Sequence, residues 1–337
     1  MNRSWKPALC LVAACGALSL LAAPVAAEEP WTLLSPWTLN RSGYFVQGGF
    51  SYLSTGSYYD AVGEEQDNPD GDYSDFTANA HVEYGLRDHL GLLFHIPVRS
   101  LSQQYEDTPD LTTTGIGDLT GGLRYRILDG SFVASAQGEL KVSTGYNAAA
   151  TTPPLGDGQT DYTLRVLAGR AFAPTPLFAQ AAFGYRGRSK DPADEWLFNA
   201  DAGFWLVEKL LVTGHWEWVE HTGDGTAQDY FKGGLGARYR AYKTMDVAVG
   251  AFQTLGGSDV PSGTQFYVGL SYKGNRLGKY DGLLSSSMDP SGAPVPPKQP
   301  AAEAAPAAAP ETPETPAAPA EPAPAPAPTP PPTPGNP

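Results

Sequence analysis

The chain has 337 residues, a formal net charge of −14, 38 glycines, 32 prolines and two cysteines. An acidic excess of this size disfavours nucleic acid as a partner. Both cysteines, Cys10 and Cys15, fall near the start, so disulfides, thiol catalysis and Cys-ligated metals are not expected in the rest of the chain.

The first residues read as an address. Arg3 and Lys6 precede a mostly apolar run from Ala8 to Ala23, and Val25-Ala26-Ala27 is a small-residue cleavage site before Glu28. This predicts a signal peptide over residues 1–27, whose removal takes the net charge from −14 to −16. A membrane anchor is the alternative, opposed by Pro24 and the cleavage pattern. Val12-Ala13-Ala14-Cys15 also resembles a lipobox, but the chain stays apolar after it. No later stretch reaches the roughly 18 consecutive apolar residues of a spanning helix. Any membrane role therefore falls to strands.

Residues 28–42 carry a duplicated phrase, Pro30-Trp31-Thr32-Leu33 and Pro36-Trp37-Thr38-Leu39. It could cap one mouth of a barrel, lie at the membrane interface where Trp is favoured, or simply lead into the first strand. From there to residue 273, side chains switch between apolar and polar at every second position, the period of a two-faced strand. Phe76, Ala78, Ala80, Val82, Tyr84 and Leu86 alternate with Thr77, Asn79, His81, Glu83 and Gly85. Twelve strands are expected near 43–57, 73–86, 90–101, 115–127, 132–144, 160–170, 176–188, 196–206, 210–220, 229–240, 245–254 and 264–273. Connections after the even strands are tight, at 87–89, 128–131, 171–175, 207–209 and 241–244. Those after the odd strands are longer and rich in Gly, Pro, Asp and Ser.

That asymmetry is how an outer-membrane β-barrel reads, and an even strand count places both termini with the short turns, in the periplasm. Leu119, Leu123, Tyr125 and Ile127 would face outward, with Asp118, Thr120, Arg124 and Arg126 inward. Phe231, Leu235, Ala237 and Tyr239 oppose Lys232, Arg238 and Arg240 in the same way, as Val212, Trp216 and Trp218 oppose Thr213, His215 and Glu217. Only lipid rewards an apolar exterior, and closure leaves no strand edge unpaired in it. The expected fold is thus all-β, an antiparallel transmembrane β-barrel over 43–273. Residues 274–337 form a linker and a Pro/Ala-rich tail, with runs such as Ala323-Pro324-Ala325-Pro326, whose composition predicts disorder.

Several phrases resemble the meta-pathway phenol-degradation family of outer-membrane transporters. They are Glu83-Tyr84-Gly85-Leu86-Arg87-Asp88 followed by Ile96-Pro97, Gly115-Ile116-Gly117-Asp118-Leu119 running to Gly122-Leu123-Arg124-Tyr125-Arg126, Gly156-Asp157-Gly158-Gln159-Thr160-Asp161, and Gly184-Tyr185-Arg186. The likeness covers most of 43–273 and none of the tail. It implies a twelve-stranded barrel and uptake of small, aromatic or apolar, molecules. It implies no catalytic or ligand-binding residue.

Inward charges are the main candidates for chemistry. Arg124, Arg126, Arg238 and Arg240 fall toward the short-turn half, with Glu83 and Asp246 at similar depth, and Glu139, Lys141, Arg165, Asp201, His215 and Glu217 lie nearer the middle. They would form either a selectivity zone in a narrow pore or an ion-paired filling, since twelve strands fall between barrels filled by side chains and barrels that leave a channel. A second candidate is the acidic loop from Asp60 to Asp75. Asp67, Asp70 and Asp72 could offer oxygens to calcium, but Pro69 sits where an EF-hand needs a ligand, and a solvated loop explains it as well. Catalysis is not expected. None of His81, His89, His95, His215 and His221 stands two residues before a serine, Gly-x-Ser-x-Gly is absent, and the histidine spacings match no zinc motif. No cofactor is implied. The expected partners are outer-membrane lipid, a small-molecule solute and, through the tail, a periplasmic or cell-wall component. The sequence supports a channel or transporter, with a non-conducting structural barrel linked to the envelope by its tail as the alternative.

Overall fold

A computed structural model describes residues 34–68, 71–105, 109–148, 153–172, 175–189, 193–223 and 228–275. The expected leader, the first copy of the Pro-Trp-Thr-Leu phrase and the Pro-rich tail lie outside these residues. The chain divides into two units, Met1–Pro297 and Lys298–Pro337, and all described residues belong to the first.

The strands in chain order are β1 (Gly43–Tyr59), β2 (Glu65–Asp67), β3 (Tyr73–Arg87), β4 (Leu90–Gln103), β5 (Leu111–Ile116), β6 (Leu119–Leu128), β7 (Phe132–Val142), β8 (Asp161–Ala171), β9 (Leu177–Arg188), β10 (Asp194–Val207), β11 (Leu210–Thr222), β12 (Asp229–Tyr242), β13 (Met245–Ser258) and β14 (Val260–Asn275). Apart from β2 and β5, successive strands pair antiparallel, and β14 returns to β1 over a ladder from Gly43 opposite Asn275 to Tyr59 opposite Val260, with one register shift between Ser54 and Ser57. The result is a closed barrel of 12 staves. β5 and β6 are one stave interrupted at Gly117-Asp118, and β2 is a short addition that pairs with the end of β1. No described helix is long and apolar enough to cross a membrane.

Alternation explains each stave, and the wall's two faces follow it. Leu123, Phe198, Trp216, Phe231 and Leu235 are exposed on the outer face, Leu235 at 69%. Their neighbours Arg124, Asn199, His215 and Glu217 are buried inside. Such a polarity suits hydrocarbon outside and polar groups within.

Three features depart from the expected strand plan. The long connection expected between 254 and 264 is a single residue, Asp259, with φ 52°. β13 and β14 continue past the expected ends because their ladder partners on β12 and β1 continue too. The stave expected at 115–127 breaks at Gly117-Asp118. Gly117 and Asp118 are both buried, which switches the inward set from odd to even positions, as an extra residue in a ladder does. The third departure is inside the barrel. Leu167, Phe178, Leu197, Leu211, Val219 and Phe252 also point inward and are buried. Phe178, Trp205 and Leu211 form one cluster, and Ala248, Phe252 and Tyr267 another. Period two assigns two faces but not their polarity at each level. Inward apolar side chains of neighbouring staves, β9 to β11 in one cluster and β13 with β14 in the other, pack side by side along the inner wall.

Candidate functional site

The site is the lumen on the β3–β8 side, where two segments enter from opposite ends. Residues 34–42 enter from the short-turn end. Arg41 N–H donates to Asp88 Oδ1 at 2.9 Å, Thr38 Oγ1 donates to the Asp88 carbonyl at 2.8 Å, and Ser42 N–H to the Gly85 carbonyl at 2.8 Å. Trp37 and Leu39 are buried. Trp37 packs on Val133 and Ala171. Gly169 on β8 makes room for it, since a Cβ there would sit 2.7 Å from the indole ring and 2.8 Å from Pro36 Cγ. The expected cap or lead-in is therefore a plug within the lumen. Nothing local in the sequence signalled this beyond the two tryptophans, because the seat is assembled from β7 and β8.

From the long-loop end, the connection between β7 and β8 turns inward. Pro153, Pro154, Leu155, Gly156 and Gln159 are buried, and Arg99 Nη1 donates to the Leu155 carbonyl at 3.1 Å. Between Leu34 of one segment and Leu155 of the other lies a cavity of about 170 Å³, lined also by His81, Glu83, Leu93, His95, Arg99 and Glu139.

A hydrogen-bonded belt crosses this region. His81 Nε2 lies 3.1 Å from Glu83 Oε1, and Arg124 Nη1 lies 3.3 Å from Glu83 Oε2. Arg124 Nε donates to Gln137 Oε1 at 2.7 Å, and Gln137 Nε2 donates to Glu139 Oε1 at 2.8 Å. Glu139 pairs with Arg165 Nε at 3.5 Å, whose Nη1 donates to Asn199 Oδ1 at 3.1 Å. Five staves are tied in one line. Arg124 also donates to the Trp37 carbonyl at 3.4 Å, so the belt touches the plug.

The remaining candidates stand apart from the belt. Asp201 meets His215 Nδ1 at 2.5 Å and accepts Gln180 Nε2 at 3.0 Å. Glu217 accepts the Tyr230 hydroxyl at 2.9 Å. Arg240 pairs with Asp246 at 3.2 Å and lies over Trp205, Arg238 is buried one turn of the pleat away, and Arg126 binds the Asp88 carbonyl and Asp129 near the short turns. Lys141 pairs with Asp118, Asp157 and Asp161. Of the acidic loop, Asp67 lies in β2, exposed, and Asp70 is outside the described residues. Among the described residues no group of three or more His, Cys, Asp or Glu is placed to hold a metal. The sequence reading missed the Arg99–Asp75 ion pair, and it missed Tyr146, Leu155 and Asp157 as lumen residues. Gly156-Asp157-Gly158 reads locally as a turn phrase, and nothing in it signalled that the connection bends into the lumen.

No family model matches the sequence, and no curated protein matches it. Solved structures do. The chain is similar to the COG4313 outer membrane channel from Pseudomonas putida F1, with 15% identity over 72% of this chain and 99% of that one and a TM-score of 0.59. The fold is that of an outer-membrane β-barrel. Weaker likenesses are to the NanC porin (11% identity, 68% of this chain and 98% of that, TM-score 0.44) and the KdgM porin (9%, 67% and 98%, 0.41). In such a barrel the apolar outer face described above is the lipid-facing one.

Proposed function

We propose that the barrel passes small molecules across the outer membrane, with short turns and both termini in the periplasm and long connections outside. The observation that carries this reading is the cavity between Leu34 and Leu155. It is a chamber inside the lumen, bounded by two chain segments rather than by the wall alone. Its lining mixes Leu93, Pro97 and Leu155 with charges that are already paired, Arg99 with Asp75 and Arg124 with Glu83. A chamber of this kind suits small aromatic or apolar solutes, the class implied by the sequence resemblance, better than ions seeking an uncompensated charge. The inward Arg, Asp and Glu set then tunes entry by shaping the chamber.

Purified protein in a planar bilayer is expected to give small stepwise currents. W37A is expected to enlarge them by emptying the seat at Gly169. Silence from folded wild-type protein and from W37A would overturn the passage reading. It would favour a second reading, a structural barrel that acts through its loops and tail, for which the Phe178–Trp205–Leu211 filling speaks.

A further inference from the structure

One ammonium group holds three carboxylates together where the inward connection meets the wall. Lys141 Nζ lies 2.5 Å from Asp157 Oδ2, 2.6 Å from Asp161 Oδ2 and 3.5 Å from Asp118 Oδ2. Asp161 opens β8 and Asp118 sits in the break between β5 and β6, so both belong to the wall. Asp157 belongs to the segment that enters the lumen. Without the ammonium, three carboxylates would face one another inside the protein, and only Asp157 is free to leave by moving its backbone outward.

A second set of contacts converges on the same segment. The Tyr146 hydroxyl donates to Asp118 Oδ1 at 2.5 Å and accepts the Gly158 N–H at 3.0 Å. Gly156 fits beneath it because any Cβ would collide with the Tyr146 hydroxyl and the Asp118 carboxylate. Leu155, 6% exposed, fills the space above Gly115, where a Cβ would come within 2.6 Å of its Cδ1. Arg99, the ladder partner of Gly115 on the adjacent β4, holds the Leu155 carbonyl. The side chain that caps the chamber thus rests on the wall at Gly115 and Arg99, and Lys141 ties the segment that carries it to the wall carboxylates through Asp157.

We propose that Leu155 is the size-limiting lip of the passage at its long-loop end, and that Lys141 is the positioning residue that latches it through Asp157. The lip rests on the passage reading; the latch does not. Loss of Lys141 charge is expected to release the segment outward, exposing Leu155 and widening the route to the chamber.

The test uses the full chain carrying L155C, with a membrane-impermeant maleimide added to folded protein in liposomes. Cys10 and Cys15, both in the expected leader, are the only other cysteines. With Lys141 present, labelling should be slow. In L155C/K141M it should be about tenfold faster or more, in the manner of a locally opened segment, and L155C/K141R should return it toward the slow rate. L155C/D157N, which leaves the wall pair with Lys141 intact, should also label fast, and heat-modified gel migration shows which variants have folded. Conductance of K141M and D157N is read in parallel. Faster labelling with larger current steps supports latch and lip together. Faster labelling in a barrel that never conducts keeps the latch and overturns the lip along with the passage reading. Equal labelling rates in folded K141M, D157N and parent overturn the latch.

Discussion

Arg124 shows how much one buried side chain can be asked to do. It is 3% exposed and satisfies Glu83, Gln137 and the Trp37 carbonyl at once. R124A leaves Glu83 buried beside a cavity with its main counter-charge gone, and breaking a buried pair from one side costs about 3–5 kcal/mol. The expected outcome is a lower urea midpoint for the folded barrel in micelles, together with a loosened plug. An unchanged midpoint would mean water already reaches Glu83 and the belt contributes little. That Arg124 faces inward was legible from its alternation with Leu123 and Tyr125. Its partners were not. Glu83 is 41 residues away and Trp37 is 87, and it takes the pairing of both β3 and β6 with β4, and the entry of residues 34–42 into the lumen, to bring them to Arg124.

At the scale of elements, the two inserted segments differ in how they are held. The plug is held by packing on Gly169 and by hydrogen bonds to Asp88, the Gly85 carbonyl and Arg124. The connection at Asp157 is held by charge. Burial raises the Asp157 carboxyl, but the Lys141 ammonium, its hydrogen bond and Arg188 outweigh that and hold it below its ordinary value of 3.8. The other charged and titratable neighbours are Asp118, Asp161 and Tyr146. A carboxyl depressed in the folded state stabilises the inward position above its ordinary value, and that contribution is lost as pH falls through the depressed one. Labelling of L155C, taken relative to the unfolded L155C chain at the same pH so that the falling thiolate fraction cancels, is therefore expected to be flat from pH 8 to about 5 and to rise only below about 4. Acceleration between pH 6 and 7 would instead point to a histidine. The strands themselves were legible to within a few residues almost everywhere. The misplaced ones, at Gly117-Asp118 and Asp259, are sites where the ladder of a neighbouring stave overrides the local signal: alternation restarts at a bulge, and Gly-Gly-Ser-Asp composition reads as loop even where both flanks stay paired.

For the whole molecule, the decisive property is the polarity of the two faces. Leu235 lies midway along β12, opposite Gly214 on β11 and Ala251 on β13, and is 69% exposed. L235R places a charge at the hydrocarbon midplane and is expected to cost about 2–4 kcal/mol, read as loss of folding into lipid vesicles with folding into detergent micelles less affected. Equal folding of L235R and wild type in vesicles would place Leu235 away from lipid. The apolar flank also explains why closure is required: an open β1 or β14 edge would leave backbone N–H and C=O groups without partners in a solvent that offers none.

The sequence by itself determined that strands of period two would form, which residues share a face, and that the outer face is apolar, because each of these is set by neighbours one or two residues apart. Only the tertiary structure decided what fills the cylinder. The plug at Trp37, the lip at Leu155, the belt from His81 to Asn199 and the aromatic packing of Phe178 and Phe252 depend on side chains of several staves, and on two entering segments, being brought together inside a lumen. Its width follows from the number of strands, not from any local stretch of chain.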